Sequence, residues 1–107
     1  KGIVFVAGWF NLPYLETDEE KEIAKPWLET SIDTDKIKLI SKKIVAIFSD
    51  NDPDVPISDK ELFRERLGAK IIIEHEKGHF SDDAGVKELP IVLKEILNMQ
   101  VIPATFL

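Results

Sequence analysis

The chain has 107 residues, of which 44% are hydrophobic and 32% are charged, a composition typical of one ordinary globular domain. Its formal net charge of −6 argues against nucleic acid as a partner, because such partners are held by clustered Lys and Arg. The absence of cysteine excludes disulfides and thiolate nucleophiles and is compatible with a reducing cytoplasm. No apolar run approaches the roughly 20 residues that cross a bilayer, so we expect a cytoplasmic protein without a membrane partner.

Three short apolar runs are predicted to be strands of a parallel sheet. They are residues 2–8 (GIVFVAG), 43–48 (KIVAIF) and 70–74 (KIIIE). A nearly continuous apolar run indicates a strand that is buried on both faces, and such strands are typical of parallel sheets.

Two helices are predicted between these strands. The first covers residues 34–41, with Asp33 or Thr34 as its N-cap. The second begins at Ser58, because Ser58 and Glu61 match a capping box, in which each side chain accepts a hydrogen bond from a free backbone donor.

The end of the chain completes the predicted fold. Gly68 is expected to end the second helix, and a third helix is predicted over about 86–98, with Pro90 tolerated in its first turn. Residues 9–22 (WFNLPYLETDEEKE) are interpreted as a loop and an acidic segment, and the apolar tail 100–107 is left unassigned. Alternating strands and helices predict one α/β domain, a three-layer parallel sheet with helices on both faces.

A loop rich in aspartate follows the second strand, and three interpretations of it are open. It can be a solvated turn, because Asp and Pro favour turns. It can be a calcium loop, since Asp50, Asp52, Asp54 and Glu61 occupy positions one, three, five and twelve of the EF-hand pattern. Against this, Val55 stands where that pattern requires Gly, and the preceding segment is predicted to be a strand. The third interpretation is a catalytic acid.

The position of the aspartate loop favours the catalytic interpretation. It leaves the second strand at its carboxyl end, and the loop 75–85 (HEKGHFSDDAG) leaves the third strand at the same edge of a parallel sheet. Neighbouring strands lie about 4.8 Å apart, so a carboxylate of the first loop can reach His79 of the second. Such a pair forms the acid–histidine half of a catalytic triad, in which the carboxylate orients the imidazole and stabilises its charged form.

The two loops resemble the acid and histidine loops of the α/β-hydrolase fold. The segments that carry this resemblance are DNDPDVP (50–56) and KGHFS (77–81). In that fold the acid often lies in an Asp-Pro or Val-Pro context after the next-to-last strand, and the histidine follows Gly after the last strand. By this resemblance Asp52 is the acid and His79 is the base, with Asp50 as the alternative acid.

A closer resemblance covers about residues 2–98. The ordered motifs resemble small serine hydrolases of the retinoblastoma-binding-protein-nine type and their bacterial relatives. They are Ala7-Gly8, Lys25-Pro26-Trp27, Lys36-Ile37-Lys38, Asn51-Asp52-Pro53 and Gly78-His79-Phe80. The resemblance implies a serine hydrolase that transfers acyl groups from a small ester or amide to water, without a cofactor or a metal.

The chain departs from this family in one respect, the nucleophile. No Gly-x-Ser-x-Gly motif is present, although the fold places one before the acid and the histidine. We therefore expect residues 1–107 to be a C-terminal fragment that lacks the first strands and the nucleophile elbow, and that is inactive alone. Its strand edge at 2–8 would be uncovered, which favours a homo-oligomer. The alternative is a non-catalytic interaction module of the same fold.

Several other residues carry weaker expectations. His75 is expected to be a surface residue without a partner. Trp9 and Phe10 follow the first strand and either line a substrate pocket or belong to the core. Trp27 is expected to be packed, and Asp54, beside the proposed acid, is expected to have a structural role near the start of a helix.

Overall fold

Three parallel strands form a sheet in the order β1–β2–β3, as the apolar runs predict. The computed structural model describes residues 2–99, and the unassigned tail 100–107 lies outside the described residues. The strands are β1 (Gly2–Val6), β2 (Lys43–Ser49) and β3 (Lys70–Glu74). β1 ends earlier than predicted because Ala7, with φ of 51°, adopts the left-handed conformation and turns the chain out of the sheet.

Four α-helices accompany the strands within the described residues. They are α1 (Asp18–Glu29), α2 (Thr34–Ile40), α3 (Asp59–Leu67) and α4 (Pro90–Met99). The Asp33 carboxylate caps α2 by accepting a hydrogen bond from Lys36 N, and Gly68, with φ of 64°, ends α3. In the described residues, no helix has both the length and the apolar character needed to cross a membrane.

The predicted three-layer arrangement is confirmed. One face of the sheet presents Ile44, Ala46 and Phe48, and it is covered by buried residues of α3, Phe63 and Leu67. The other face is covered by α4, whose last residue, Met99, lies so close to Gly2 that a Cβ at position 2 would collide with its sulfur atom. α4 is also tied to β3 by an ion pair between Glu95 and Lys70, with an N···O distance of 3.2 Å.

Phe63 lies at the centre of an aromatic cluster. Its ring centroid is 5.3 Å from that of Phe5, 4.8 Å from that of Phe10 and 5.4 Å from that of Phe48. Aromatic rings at these separations add stabilisation to the burial of their area. The chain after β1 passes directly over this ring at Gly8, where a Cβ would lie 2.8 Å from Phe63 Cζ. Gly8 therefore allows the loop after β1 to pack against α3.

The acidic part of the segment 9–22 is the start of α1 (Asp18–Glu29), a helix that the sequence does not predict, whereas residues 9–16 form a loop as predicted. Thr17 forms a capping box with Glu20: the Thr17 hydroxyl accepts from Glu20 N at 3.0 Å, and the Glu20 carboxylate accepts from Thr17 N at 3.3 Å. Pro26 lies inside the last turn of this helix, although proline in a sequence usually indicates that a helix ends. The expectation that Trp27 is packed is wrong, because 71% of its surface is exposed.

The capping box predicted at Ser58 and Glu61 does not form. Ser58 already has helical backbone angles, and its side chain makes no capping hydrogen bond. The chain enters α3 through a helical turn in which Asp59 N donates to Pro56 O at 3.0 Å, so backbone carbonyls satisfy the first amides. The Glu61 carboxylate instead accepts two hydrogen bonds from Arg64, each at 2.8 Å.

Asp59, which the sequence does not single out, anchors the loop after β1 to α3. Only 2% of its surface is exposed. Its Oδ2 accepts hydrogen bonds from Phe10 N at 2.9 Å and Asn11 N at 3.1 Å, and its Oδ1 accepts from Asn11 Nδ2 at 3.2 Å. One buried carboxylate therefore satisfies two backbone donors of a loop that has no secondary structure of its own.

We expect Asp59→Ala to lower the free energy of unfolding by about 1–3 kcal/mol, because two amide donors lose their acceptor in a partly buried position. Urea unfolding followed by circular dichroism measures the change. Asp35→Ala is the matched control, since Asp35 also lies in the first turn of a helix but is exposed. Equal effects of the two substitutions would show that the helix dipole, and not the anchor, accounts for the loss.

Candidate acid–histidine site

Two loops meet at the carboxyl edge of the sheet and are joined by hydrogen bonds. Asp50 N donates to Glu74 O at 3.1 Å, which extends the β2–β3 pairing by one bond. The buried Ser49 hydroxyl accepts from Lys77 N at 2.9 Å and donates to Asn51 Oδ1 at 2.8 Å. Asn51 Oδ1 also accepts from Gly78 N at 2.8 Å. These bonds hold the histidine loop (75–85) against the end of β2 and the aspartate loop (50–56).

The structure brings Asp52 and His79 together. Asp52 Oδ2 lies 2.9 Å from His79 Nδ1. Asp52 Oδ1 accepts hydrogen bonds from Asp54 N at 2.8 Å and Val55 N at 3.1 Å, which fixes the orientation of the carboxylate. The Asp52 side chain is only 3% exposed, whereas that of His79 is 39% exposed.

The geometry fixes the tautomer of the His79 ring. An ionised Asp52 carboxylate can only accept, so Nδ1 carries the proton that it shares with Asp52. The other ring nitrogen, Nε2, makes no hydrogen bond within residues 2–99 and is therefore the nitrogen available to a reacting group. A ring held by a carboxylate at one nitrogen and open at the other is the arrangement of a general base.

The backbone on both sides of His79 has left-handed conformation. Gly78 has φ of 54° and Phe80 has φ of 56°. At position 78 a Cβ would lie 2.8 Å from the Cβ of Ala84, so only glycine fits there. For Phe80, a residue with a bulky side chain, this conformation is unfavourable, and such local strain is concentrated at functional sites.

His75 has a partner, contrary to expectation. Its Nδ1 lies 2.6 Å from Asp50 Oδ2, and Asp50 Oδ1 accepts a hydrogen bond from Glu76 N at 2.9 Å. The His75 side chain is 84% exposed. Asp50, the alternative acid, therefore bonds to His75 and Glu76, while Asp52 bonds to His79.

The four acidic residues that match the EF-hand pattern do not come together as the ligands of one calcium ion. Asp50 bonds to the histidine loop and Glu61 bonds to Arg64. Potential ligand atoms of Asp52, Asp54 and His79 do lie within 4.8 Å of one another. However, Asp52 is already bonded to His79 through Oδ2 and to the amides of Asp54 and Val55 through Oδ1, so a cation would compete with these bonds.

A cavity of about 250 Å³ opens beside His79. Its wall consists of two aromatic residues, two leucines, one carboxylate and the imidazole: Trp9, Tyr14, Leu12, Leu15, Asp54 and His79. Of the two aromatic residues after β1, Trp9 lines this cavity, while Phe10 packs against Phe63 in the core. The site thus combines an acid–base pair with a largely apolar recess of the kind that holds small molecules.

Comparisons with known proteins identify the family of this chain. The model of the serine hydrolase family matches residues 1–98. The chain belongs to the serine hydrolase family. The predicted resemblance to a serine hydrolase of the α/β-hydrolase type is therefore confirmed. A search of curated proteins found no match.

A solved structure supports the same assignment. The chain is similar to the ydeN gene product of B. subtilis, with 28% sequence identity and a TM-score of 0.77. The match covers 91% of this chain and 50% of the other, so the chain spans half the length of that structure. This match supports the mixed α/β fold of the chain, with its parallel sheet and helices.

The Asp50–His75 pair predicts a pH dependence. Hydrogen bonds from the Glu76 amide and then His75 lower the pKa of Asp50 below its ordinary 3.8. The bond to Asp50, together with its charge, raises the pKa of His75 above its ordinary 6.5. The pair therefore contributes fully to stability between about pH 3.8 and pH 6.5. That contribution is lost as the pH rises through the raised pKa of His75 or falls through the lowered pKa of Asp50.

We expect Asp50→Asn to lower the pKa of His75 towards 6.5, because the imidazolium loses its carboxylate partner. Titration of the His75 ring protons by NMR measures this change. Asp35→Asn, which removes the same charge at an exposed site in α2, should leave the titration unchanged. A His75 pKa that is the same in Asp50→Asn and in the unsubstituted chain would contradict the assigned pair.

Proposed function

We propose that this chain supplies the acid, Asp52, and the base, His79, of a Ser-His-Asp triad that hydrolyses a small ester or amide. The observation that carries the proposal is the 2.9 Å hydrogen bond between the buried Asp52 carboxylate and His79 Nδ1, which leaves Nε2 without a partner within residues 2–99. The His79 side chain is partly exposed and lines the cavity. Membership of the serine hydrolase family supports the same chemistry.

The proposed reaction uses His79 twice. As a serine oxygen attacks the substrate carbonyl carbon, Nε2 accepts the serine proton, and Asp52 stabilises the resulting imidazolium without itself becoming protonated. The imidazolium then donates this proton to the leaving alcohol or amine as its bond to the acyl carbon breaks. In the second half, water attacks the acyl-serine ester and loses a proton to Nε2. The imidazolium then returns that proton to the serine oxygen as its bond to the acyl carbon breaks, and the carboxylic acid product is released.

The nucleophile of the proposed triad comes from outside this chain. The chain contains no Gly-x-Ser-x-Gly motif. Ser49, the serine closest in sequence to Asp52, is buried, and its hydroxyl is bonded to Asn51 and Lys77. We therefore propose that the nucleophilic serine lies on a further segment of the full-length protein, and that the 107-residue chain alone is inactive.

A fluorophosphonate probe, which reacts with activated serines, tests the assignment. We expect the full-length protein to be labelled and the isolated chain to remain unlabelled. Asp52→Asn should slow labelling by about 10²- to 10⁴-fold, because the histidine loses both its orientation and the stabilisation of its charge. His79→Ala should reduce labelling to a similar extent.

Two further variants make this test specific. Asp50→Asn should slow labelling far less than Asp52→Asn, because Asp50 contacts His75 and not His79. Asp35→Asn is the charge control and should have no effect, since Asp35 is exposed in α2. A full-length protein that the probe does not label would instead favour the interaction module. An equal loss of labelling in Asp50→Asn and Asp52→Asn would refute the assignment of Asp52 as the acid.

We also propose that the isolated chain forms a homodimer through the outer edge of β1. Within the described residues β1 pairs with β2 on one side only. Ala7 N donates to Ile47 O of β2, and backbone groups alternate in direction along a strand, so Val4 N–H points away from β2. A strand edge with unpaired donors and acceptors pairs readily with another chain.

Val4→Pro should convert this dimer to a monomer, because proline removes an outward donor and leaves the bonds to β2 in place. Light scattering over a range of concentrations measures the mass. Ile73→Pro is the matched control: Glu74 O accepts from Asp50 N, so Ile73 N–H points outward at the opposite edge of the sheet. An unsubstituted chain that is monomeric at all concentrations would contradict the proposed dimer.

A further inference from the structure

Asp54 differs from the other two acidic residues of its loop. Asp50 and Asp52 both use their carboxylates to hold a histidine and backbone amides. The backbone N–H of Asp54 donates to Asp52 Oδ1, which holds the residue in place, but its own carboxylate has no hydrogen-bond partner within residues 2–99. Instead the Asp54 side chain lines the cavity beside His79.

We infer that this cavity binds a substrate that carries a positively charged ammonium group, with Asp54 as its partner. The inference rests on the proposed function and specifies the substrate class for the same site. Asp54 is not assigned a part in the proton transfers, so its proposed role is in specificity.

The remaining wall of the cavity suits an organic cation. Trp9 and Tyr14 contribute aromatic rings, and the negatively charged face of such a ring attracts an ammonium group. Leu12 and Leu15 contribute apolar surface for the rest of the molecule. The formal net charge of −6 adds a long-range attraction for cations.

The position of Asp54 also limits where the charge lies on the substrate. A carboxylate oxygen of Asp54 is within 4.8 Å of a ring nitrogen of His79. The scissile carbonyl must lie near the imidazole that serves the reaction, so the ammonium group is separated from that carbonyl by only a few bonds. An ester or amide of an α-amino acid has this structure, whereas a simple fatty ester has no group for Asp54.

An ammonium group fits the site better than a metal ion does. A metal ion held by Asp52, Asp54 and His79 would compete with the bonds that Asp52 already makes to His79 and to two backbone amides. An ammonium group needs only the free carboxylate of Asp54 and the neighbouring rings. It therefore leaves the acid–base pair intact.

A matched pair of ligands tests the inference on the 107-residue chain. Phenylalanine methyl ester carries the ammonium group, and methyl 3-phenylpropanoate is the same ester without it. Binding is measured by NMR from the indole N–H signal of Trp9, which the variant Trp27→Phe distinguishes from the other tryptophan. We expect the amino ester to bind about fivefold more tightly, as for an exposed ion pair supported by aromatic rings.

Two variants separate a specific contact from general charge attraction. Asp54→Asn should abolish the preference for the amino ester, while Asp35→Asn, which removes the same charge from α2, should retain it. The two-dimensional NMR spectrum shows whether each variant keeps the fold. The preference should also weaken at high salt, which screens an exposed pair.

The outcomes of these experiments test the ammonium site separately from the proposed triad. Equal binding of the two esters, binding of neither, or a preference that survives in Asp54→Asn would overturn the ammonium site and leave the fluorophosphonate result untouched. Calcium ions that shift the Asp54 and His79 signals at lower concentration than the amino ester does would also overturn it. Conversely, a preference that persists while probe labelling fails in the full-length protein would refute only the proposed triad.

Discussion

The parallel pairing of β2 with β3 is the constraint on which the rest of the site depends. It brings two carboxyl ends to one edge of the sheet, and the loops that leave these ends are then joined by bonds from Ser49, Asp50 and Asn51 to the histidine loop. If β3 were antiparallel to β2, the two loops would lie at opposite edges. The sheet topology therefore brings the two loops close together, and side-chain hydrogen bonds then fix their relative position.

The elements that the sequence reveals are those whose signal is local and strong. The β-branched runs of β2 and β3 predict strands because few other structures accommodate such runs, and Gly68, with positive φ, ends α3. β2 is buried, whereas β3 is only half-buried, with 37% of Ile73 exposed. Topology predicts that a carboxylate of the aspartate loop lies near His79, since both loops leave the same edge of a parallel sheet. The choice of Asp52 among the three aspartates depends on the resemblance to the α/β-hydrolase fold.

Two kinds of feature in the structure differ from the sequence-based predictions or were not predicted. α1 was missed although Thr17 and Glu20 form its capping box, because Pro26 and the acidic run argue against a regular helix. The second kind concerns long-range contacts: Asp59 reaches Phe10, and Asp50 reaches His75, across tens of residues. Single residues of this kind have no local pattern, and only the folded chain shows that a charged residue at the start of a helix serves as the acceptor for a distant loop.

The buried Asp59 anchor has a consequence for motion. The amides that it holds, those of Phe10 and Asn11, follow directly after Trp9, so the aromatic wall of the cavity is tethered to α3. The wall and the helix should therefore open and close as one cooperative unit, and not as a flexible flap on a rigid body. Any molecule that settles against Trp9 would then slow the exchange of amide protons in α3, although it touches no residue of that helix.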